Sequence, residues 1–481
     1  MNLKNKNLLK EAAYIGGEWV SSKKTFTVDN PADGKVIASV PDLGVAETRQ
    51  AIEAAEKAMP AWAGMTAKAR AGVLRKWADL MVAHADDLAT IMTAEQGKPL
   101  IESRGEILYA ASFLEWFGEE GKRAYGETIP STIPKTRIVT IRQPVGVCAL
   151  ITPWNFPSAM ITRKAGPALA AGCVVVCKPA AETPLSALAL AALAEEAGVP
   201  PGVLNVITTS DSKTVGKELC ENPIVRKLSF TGSTEVGRIL MAQCAGTVKK
   251  LSLELGGNAP FIVFDDADID AAVAGAVMSK YRNAGQTCVC ANRFFIQEGI
   301  YDEFADKLAA KVRELKIGNG AELGAAIGPL INEEALAKVK DLVGDAVTKG
   351  GKIVLGGKAH SLGGTFFEPT IIKNVNADMK FAQEEIFGPV APLFKFKDEE
   401  DVIKISNSTI YGLAAYVYAR DIGRVWRMAE RLEFGMVAVN SGTLSTEVAP
   451  FGGVKQSGIG REGSRYGLDE YLEIKYILMA E

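Results

Sequence analysis

Between residues 48 and 125, apolar side chains recur at three- and four-residue spacing, through Ala55-Ala58-Trp62 and again through Leu74-Trp77-Leu80-Met81. That is the period of a helix with one face turned inward, so the stretch predicts packed amphipathic helices. The period then changes. Arg137-Ile138-Val139-Thr140-Ile141-Arg142-Gln143-Pro144 alternates as an antiparallel strand does and stops at proline. Tyr471-Leu472-Glu473-Ile474-Lys475-Tyr476 alternates too, so two strands far apart in sequence are available to pair in a small arm.

From Val145 onward, short apolar runs alternate with helical stretches. The runs are Val145–Ile151, Cys173–Cys177, Val203–Ile207 and Lys227–Phe230; the helices include Leu185–Ala197 and Thr214–Cys220. Strands alternating with helices predict a parallel, doubly wound α/β sheet. After Gly256-Gly257 the pattern restarts with Pro260-Phe261-Ile262-Val263-Phe264 and an Ala-rich helix from Ile269 to Arg282. That restart marks a domain boundary. The longest apolar stretch, Ala165 to Cys177, is too short to span a bilayer and reads as a buried helix end entering a strand.

A chain of 481 residues exceeds one hydrophobic core, which predicts two or three domains. A net charge of −3 and no Lys/Arg block give no footprint for nucleic acid. The polar start Met1-Asn2-Leu3-Lys4-Asn5-Lys6-Asn7 has no secretory pattern, and with no spanning segment the expectation is a cytoplasmic protein with no membrane partner. Seven cysteines lack metal-ligand spacing, and Cys148, Cys173 and Cys177 sit in runs that read as core. With only His84 and His360 available, neither a histidine-dependent triad nor a metal site is expected.

Other residue types must then carry the chemistry. Cys288, in Asn283-Ala284-Gly285-Gln286-Thr287-Cys288-Val289-Cys290, follows Glu254 in Leu253-Glu254-Leu255-Gly256-Gly257. A thiolate is the strongest side-chain nucleophile near neutral pH, and a carboxylate on a Gly-rich turn can deprotonate a thiol or a water. Thr152-Pro153-Trp154-Asn155-Phe156-Pro157 follows a strand end, where its two prolines fix a turn around the Asn155 amide. Lys178 ends another strand, facing where phosphate or ribose oxygens bind. Phe230-Thr231-Gly232-Ser233-Thr234 reads as strand, tight turn and helix start, an arrangement suited to a pyrophosphate, although Gly-Ser-Thr also makes an ordinary helix cap. The turn Thr208-Thr209-Ser210-Asp211-Ser212-Lys213 lacks glycine, so the simple dinucleotide fingerprint is absent. Glu384-Glu385-Ile386-Phe387-Gly388-Pro389 puts an acidic pair before a forced turn, which by itself reads as solvated surface.

These motifs, together with Pro450-Phe451-Gly452-Gly453-Val454-Lys455-Gln456-Ser457-Gly458, resemble those of the aldehyde dehydrogenases from about Tyr14 to the last residue. The resemblance implies an α/β fold with a discontinuous Rossmann-like cofactor domain over 1–125 and 144–255 and a catalytic domain over 256–440. A small β oligomerisation arm with the C-terminal segment, 126–143 and 441–481, would make a homodimer or homotetramer. It assigns Cys288 as nucleophile and Glu254 as the base that hydrolyses the thioester. Asn155 and the Cys288 N–H become the oxyanion donors. Trp154, Lys178, Ala181, Gly232, Ser233, Leu255, Glu385 and Phe387 are assigned to the cofactor. NAD-preferring relatives commonly carry a glutamate where this chain has Ala181, with Glu182 one place late, so NADP is expected, with NAD tolerated.

Arg163 and Arg282 flank these motifs and point to a substrate with a distal carboxylate, although each also reads as an ordinary salt-bridged arginine. The resemblance narrows here to succinate-semialdehyde dehydrogenases, in which the matching arginines and a serine at Ser445 hold that carboxylate. Glutarate semialdehyde and other ω-carboxy aldehydes compete. Cys290, two residues from the nucleophile, is a packing cysteine or, as in some relatives, the partner in a reversible disulfide. Enzymes that pass the acyl group to coenzyme A generally lack the hydrolytic glutamate, and a non-catalytic scaffold would be expected to lose Cys288, Glu254 or Asn155.

Overall fold

The computed structural model describes residues 1–480. Four helices, Val45–Gly64, Ala67–Ala83, Ala85–Gln96 and Leu100–Glu120 (α1), occupy the region of helical periodicity. Trp62, Trp77, Leu74 and Met81 are buried on their inner faces.

The first sheet is built on five parallel strands: β1 (Val147–Ile151), β2 (Val174–Lys178), β3 (Leu204–Val206), β4 (Val225–Thr231) and β5 (Lys250–Glu254). Their spatial order is β5-β4-β1-β2-β3. The connection reverses direction between β1 and β4, and open α/β sheets bind ligands in the crevice at such a point. The register decides what lines it: Ile151 pairs with Lys178 and with Phe230, and Thr231 pairs with Glu254. Lys178, the turn at Gly232-Ser233, Glu254 and the Asn155 loop after β1 therefore emerge along one edge. The four strands read from sequence, β1 to β4, start and end within about two residues of their expected limits, the difference arising because a strand's ends are set by its hydrogen-bond ladder rather than by its side-chain pattern; β5, with Lys250 and Ser252 among its five residues, does not read as a strand. The long apolar stretch is helix α2 (Ala159–Ala171) running into β2.

A second sheet contains β6 (Ala259–Val263), β7 (Ala291–Gln297), β8 (Thr370–Lys373), β9 (Val390–Phe396), β10 (Ala414–Tyr418) and β11 (Met436–Val439), ordered β8-β9-β7-β6-β10-β11 and all parallel. The buried apolar residues form two clusters, one ending at Leu255 and regained at Leu468–Leu472, the other running from Ala259 to Phe451. The changeover falls on Gly256-Gly257-Asn258.

Thr136–Pro144 and Leu472–Ala480 pair antiparallel, as the two alternating segments predict, with Leu472 opposite Pro144. The remainder of the C-terminal segment packs against the first sheet and its core. Gly458–Ile459 adds a strand to β5, placing Gly458 opposite Glu254, while Leu468 and Tyr471 join the first core. Near the N-terminus, Ala13–Ile15 and Glu18–Val20 extend the first sheet, and Thr25–Asp29 pairs with Val36–Pro41. Strands this short carry too few alternations to be read as a period. Among the described residues no helix is long and apolar enough to cross a membrane, and no cluster of His, Cys, Asp or Glu is arranged to hold a metal.

Candidate active site

Cys288 lies in the loop between helix α3 (Ile269–Tyr281) and β7. That loop is unusual. Asn283, Ala284 and Gly285 are three consecutive residues with positive φ, 50°, 53° and 77°. At Gly285 a Cβ would fall 2.2 Å from the Gly388 carbonyl oxygen, so only glycine fits. The strain is over-determined by hydrogen bonds. The Asn283 N–H donates to Glu102 Oε2 (2.8 Å), and Gln96 Nε2 donates to Asn283 Oδ1 (3.0 Å). Gln286 donates from Nε2 to the Asn283 carbonyl (3.1 Å) and accepts from the Ile331 N–H (2.9 Å).

The Glu254 turn presses directly on this loop. A Cβ at Gly257 would lie 2.5 Å from the Cys288 carbonyl oxygen. The Gly-Gly pair after Glu254 is thus what lets the end of β5 approach the nucleophile. Glu385 closes the same corner by accepting the Gly257 N–H at 3.0 Å. It is half-buried, whereas its neighbour Glu384 is exposed, so the acidic pair is solvated surface at one residue only. Phe387, at φ 52°, meets the Trp154 ring edge-on at 5.6 Å between centroids.

Cys288 is shared by two cavities. One, of about 270 Å³, runs from Gly232 and Ser233 past Leu255, Glu385 and Phe387 to Asn155 and Cys288. The other, about 350 Å³, also reaches Cys288 and is walled by Tyr109, Phe156, Arg163, Arg282, Ser445 and Phe451. Of the residues expected from sequence, only Lys178 and Ala181 lie outside these walls among the cofactor set, at the carboxyl end of β2. There Lys178 Nζ donates to Ser212 Oγ at 3.0 Å. Burial pushes the Lys178 ammonium down to about 8, against the opposing pull of Glu182, which is exposed.

The first cavity has the chemistry to receive the pyrophosphate and nicotinamide end of a dinucleotide. Ser233 caps helix Thr234–Cys244 by accepting the Val236 N–H, so the helix start faces the cavity with its positive end. Thr231 Oγ1 is buried there without a hydrogen-bond partner, and the Glu385 carboxylate suits sugar hydroxyls.

The Asn155 side chain donates from Nδ2 to the Gln286 carbonyl at 3.1 Å, bridging the two loops. Its backbone carbonyl accepts from Asn283 Nδ2 (3.1 Å) and from Lys98 Nζ (2.5 Å). Lys98 in turn pairs with Glu106 Oε2 at 2.6 Å, both side chains fully buried, and Glu106 Oε1 accepts the Ser158 and Ala159 N–H groups at 3.0 and 3.1 Å. This buried pair, which sequence reasoning missed, anchors the Asn155 loop and the first turn of α2 to α1. The only trace of it in the sequence is the i,i+8 spacing of a lysine and a glutamate around Pro99, too common a pattern to single out.

Arg163 is buried and does have a salt-bridge partner: Nη2 lies 2.9 Å from Glu462 Oε2, while Glu462 also pairs with Lys164. The Arg163 contact is close but misaligned, an ion pair by proximity rather than a directed hydrogen bond, and Nε has no partner at all. Its guanidinium stacks on Phe451, 3.9 Å from the ring centre. Arg282 is half-buried over the Phe156 ring at 5.4 Å and, among the described residues, makes no hydrogen bond or ion pair; the Ser445 hydroxyl makes none either. Arg282 thus keeps its donors, whereas the unengaged Nε and Nη2 of Arg163 are buried beneath the cavity wall.

Burial pushes the Cys288 thiol up to about 12; Glu385 and Glu254 push the same way, and Arg163 and Arg282 oppose them. Glu254 is also held well above the usual carboxylate range, by burial first and by Glu462 second, and its Oε2 has no hydrogen-bond partner. Cys290 is buried, its thiol engaged with the Lys280 and Ala291 carbonyls at 3.4 and 3.6 Å. A disulfide to Cys288 requires it to give up both contacts. All seven cysteines are free.

The whole arrangement has close counterparts. The chain is 63% identical to the glutarate-semialdehyde dehydrogenase of Pseudomonas aeruginosa, over 100% of this chain and 99% of that one. It is 61% identical to an NADP(+) succinate-semialdehyde dehydrogenase of Escherichia coli K12, covering 99% of each. The crystal structure of succinate-semialdehyde dehydrogenase from Burkholderia pseudomallei superposes with a TM-score of 0.99 at 62% identity, covering 100% of both chains. With the aldehyde dehydrogenase family model also matching residues 19–477, the chain belongs to the aldehyde dehydrogenase family.

Proposed function

We propose that the protein oxidises succinate semialdehyde to succinate with NADP, with glutarate semialdehyde as a second substrate. The observation that carries this reading is a cavity ending at Cys288 and walled by two arginines whose donors are not fully engaged, together with the Ser445 hydroxyl. A carboxylate at the far end of a short aldehyde satisfies those donors while its carbonyl reaches the thiol. One methylene is worth about 1–3 kcal/mol of discrimination, so both semialdehydes react.

Cys288 adds to the carbonyl as thiolate, and Asn155 Nδ2, released from the Gln286 carbonyl, joins the Cys288 N–H in holding the oxyanion of the thiohemiacetal. A nicotinamide bound in the first cavity supplies the hydride acceptor. Trp154, Gly232, Ser233, Leu255, Glu385 and Phe387 hold it there, with Lys178 at the ribose. The resulting thioester on Cys288 is hydrolysed by water that Glu254 deprotonates, for which that carboxyl must first ionise. Glu254 favours hydrolysis over transfer to coenzyme A.

The cofactor preference rests on Ala181, which puts no carboxylate at the position where NAD-preferring relatives commonly carry one; Glu182, one place later, is exposed and accepts no hydrogen bond among the described residues. Lys178 and Ser212 provide donors beside that place. The discontinuous cofactor domain, the catalytic domain and the arm with its C-terminal segment are proposed with the limits expected from sequence, Leu472–Ala480 being the arm strand of that segment. That strand is the outer one of its sheet and exposes Ile474, Tyr476 and Leu478, which supports a homodimer or homotetramer. Free thiols throughout suit a reducing cytoplasm.

Initial rates with succinate semialdehyde, glutarate semialdehyde and pentanal, each with NADP and NAD, test the reading. A strong preference for the two semialdehydes and for NADP is expected; equal rates with pentanal remove the carboxylate substrate.

A further inference from the structure

The turn after β3, Thr208-Thr209-Ser210-Asp211-Ser212-Lys213, has no glycine, and none of its residues takes a positive φ. Its shape is imposed from outside, by the chain that leaves the strand Val36–Pro41. Thr208 Oγ1 donates to the Pro41 carbonyl (2.6 Å), and the Leu43 N–H donates to the Thr208 carbonyl (3.0 Å). Between them sits Asp42, a buried carboxylate whose Oδ1 accepts the Ser210 N–H and whose Oδ2 accepts the Ser210 hydroxyl, both at 2.8 Å. Lys24 Nζ, on an exposed side chain, lies 2.8 Å from the same Oδ2. Past the turn, Asp211 accepts the Thr214 N–H and so caps the helix Ser212–Glu221, which Arg49 grips through two 3.0 Å bonds to Glu218. Residues 41–49 thus hold both the turn and the helix it starts.

We propose that Asp42 is a positioning residue for the adenosine end of the cofactor site: by fixing Ser210 it fixes Ser212, and through Ser212 the Lys178 ammonium. This rests on the reading of Lys178 and Ser212 as donors beside the 2′-phosphate of NADP. Ser212 stands two residues after Ser210, and Lys178 Nζ donates to its hydroxyl at 3.0 Å, so a displaced turn displaces both donors. A glycine-rich turn brings its own backbone up to a phosphate. This turn lacks that means and depends on side chains, which are placed only as accurately as the loop that carries them. Asp42 itself lines neither cavity at Cys288, and both its oxygens are committed within the protein, so it acts through the turn and not on a ligand. NAD has no 2′-phosphate. Misplacing these donors therefore weakens NADP, whose phosphate takes charge-assisted bonds, far more than NAD.

The test is calorimetric binding of adenosine 2′,5′-bisphosphate and of AMP, which differ only in the 2′-phosphate, to the full-length enzyme. Wild type is expected to bind the bisphosphate more tightly. Asp42→Ala should weaken the bisphosphate about 10- to 100-fold, as loss of a bond to a charged group does, and AMP by less than about threefold. The KM for NADP should rise in parallel, with the KM for NAD and for succinate semialdehyde near wild type. In Asp42→Asn the amide oxygen accepts the Ser210 N–H and the NH₂ donates to the Ser210 hydroxyl, so binding should return to within about threefold of wild type, the exposed Lys24 contact counting for little. Ser210→Ala, which removes one bond of the clamp, carries the same test with a smaller loss, about 3- to 10-fold, where Asp42→Ala does not fold. If wild type binds both nucleotides equally, the 2′-phosphate reading of Lys178 and Ser212 is refuted, and the inference falls with it. If wild type discriminates and the variants discriminate just as well, the role of Asp42 is refuted. Equal weakening of both nucleotides, or an Asn variant no better than Ala, also overturns it, since Asp42 then supports the fold without placing the phosphate donors.

Discussion

Replacing Glu106 by Gln tests whether the buried Lys98–Glu106 pair holds the oxyanion loop in place. Glu106 takes three charge-assisted hydrogen bonds, from Lys98 Nζ at 2.6 Å and from the N–H groups of Ser158 and Ala159 at 3.0 and 3.1 Å. A glutamine amide can keep the two backbone bonds through its oxygen, but its NH₂ then faces the Lys98 ammonium, donor against donor. Removing one member of a fully buried pair costs about 3–5 kcal/mol. The lower end applies here, since burial already pushes Lys98 down and without Glu106 it can lose its proton. The cost falls on the segment the pair anchors, so local opening of residues 152–162 should be favoured by the same amount. At about 1.4 kcal/mol per factor of ten, that is roughly 10²-fold or more in amide exchange. Hydrogen exchange read by mass spectrometry on peptides from that segment measures it. Because Asn155 moves with the loop, kcat should also fall, by up to about 10²-fold. Adding Lys98→Met to Glu106→Gln removes the stranded charge and should restore much of the protection. Exchange within about threefold of wild type, with unchanged kcat, refutes the anchoring role.

Other consequences follow from the same geometry. In the cofactor-free enzyme a thiol held at about 12 is protonated below that pH, so its alkylation rate by iodoacetamide should climb about tenfold per pH unit through pH 9 without levelling; a plateau near pH 8.5 contradicts the burial argument. Asn155→Ala removes one oxyanion donor and should lower kcat by about 10²–10³-fold with KM little changed; a drop of less than tenfold assigns the oxyanion to other groups. If a Cys288–Cys290 disulfide protects the nucleophile, Cys290→Ala abolishes the thiol-reversible part of peroxide inactivation; if it makes no difference, Cys290 is a packing residue satisfied by the Lys280 and Ala291 carbonyls.

What the sequence made legible, it did through local chemistry. Cys288, Glu254 and the glycines after it stand out because Gly257 must admit the Cys288 backbone, a constraint written within a few residues of each. Strands β1 to β4 and β6 are readable since each is short, largely apolar and bounded, whereas β5 and the later strands of the second sheet are not. What stayed hidden depends on pairing across the chain. Glu462, almost three hundred residues from Arg163, decides how much of that arginine remains available to a ligand, and nothing near either residue announces the other. Lys98 and Glu106 look like surface charges because burial of an ion pair is a property of the packing around it. Glu385 was assigned through resemblance, since on its own an acidic pair before Gly-Pro gives no sign that one carboxylate turns inward to Gly257.

The most direct measurement is a single-turnover experiment on Glu254→Gln with NADP and succinate semialdehyde, followed by intact-mass analysis and peptide mapping. A burst of NADPH close to one per active site is expected, then near-arrest, with one succinyl group on Cys288. Sustained turnover, or a burst that leaves no acyl group on Cys288, contradicts it.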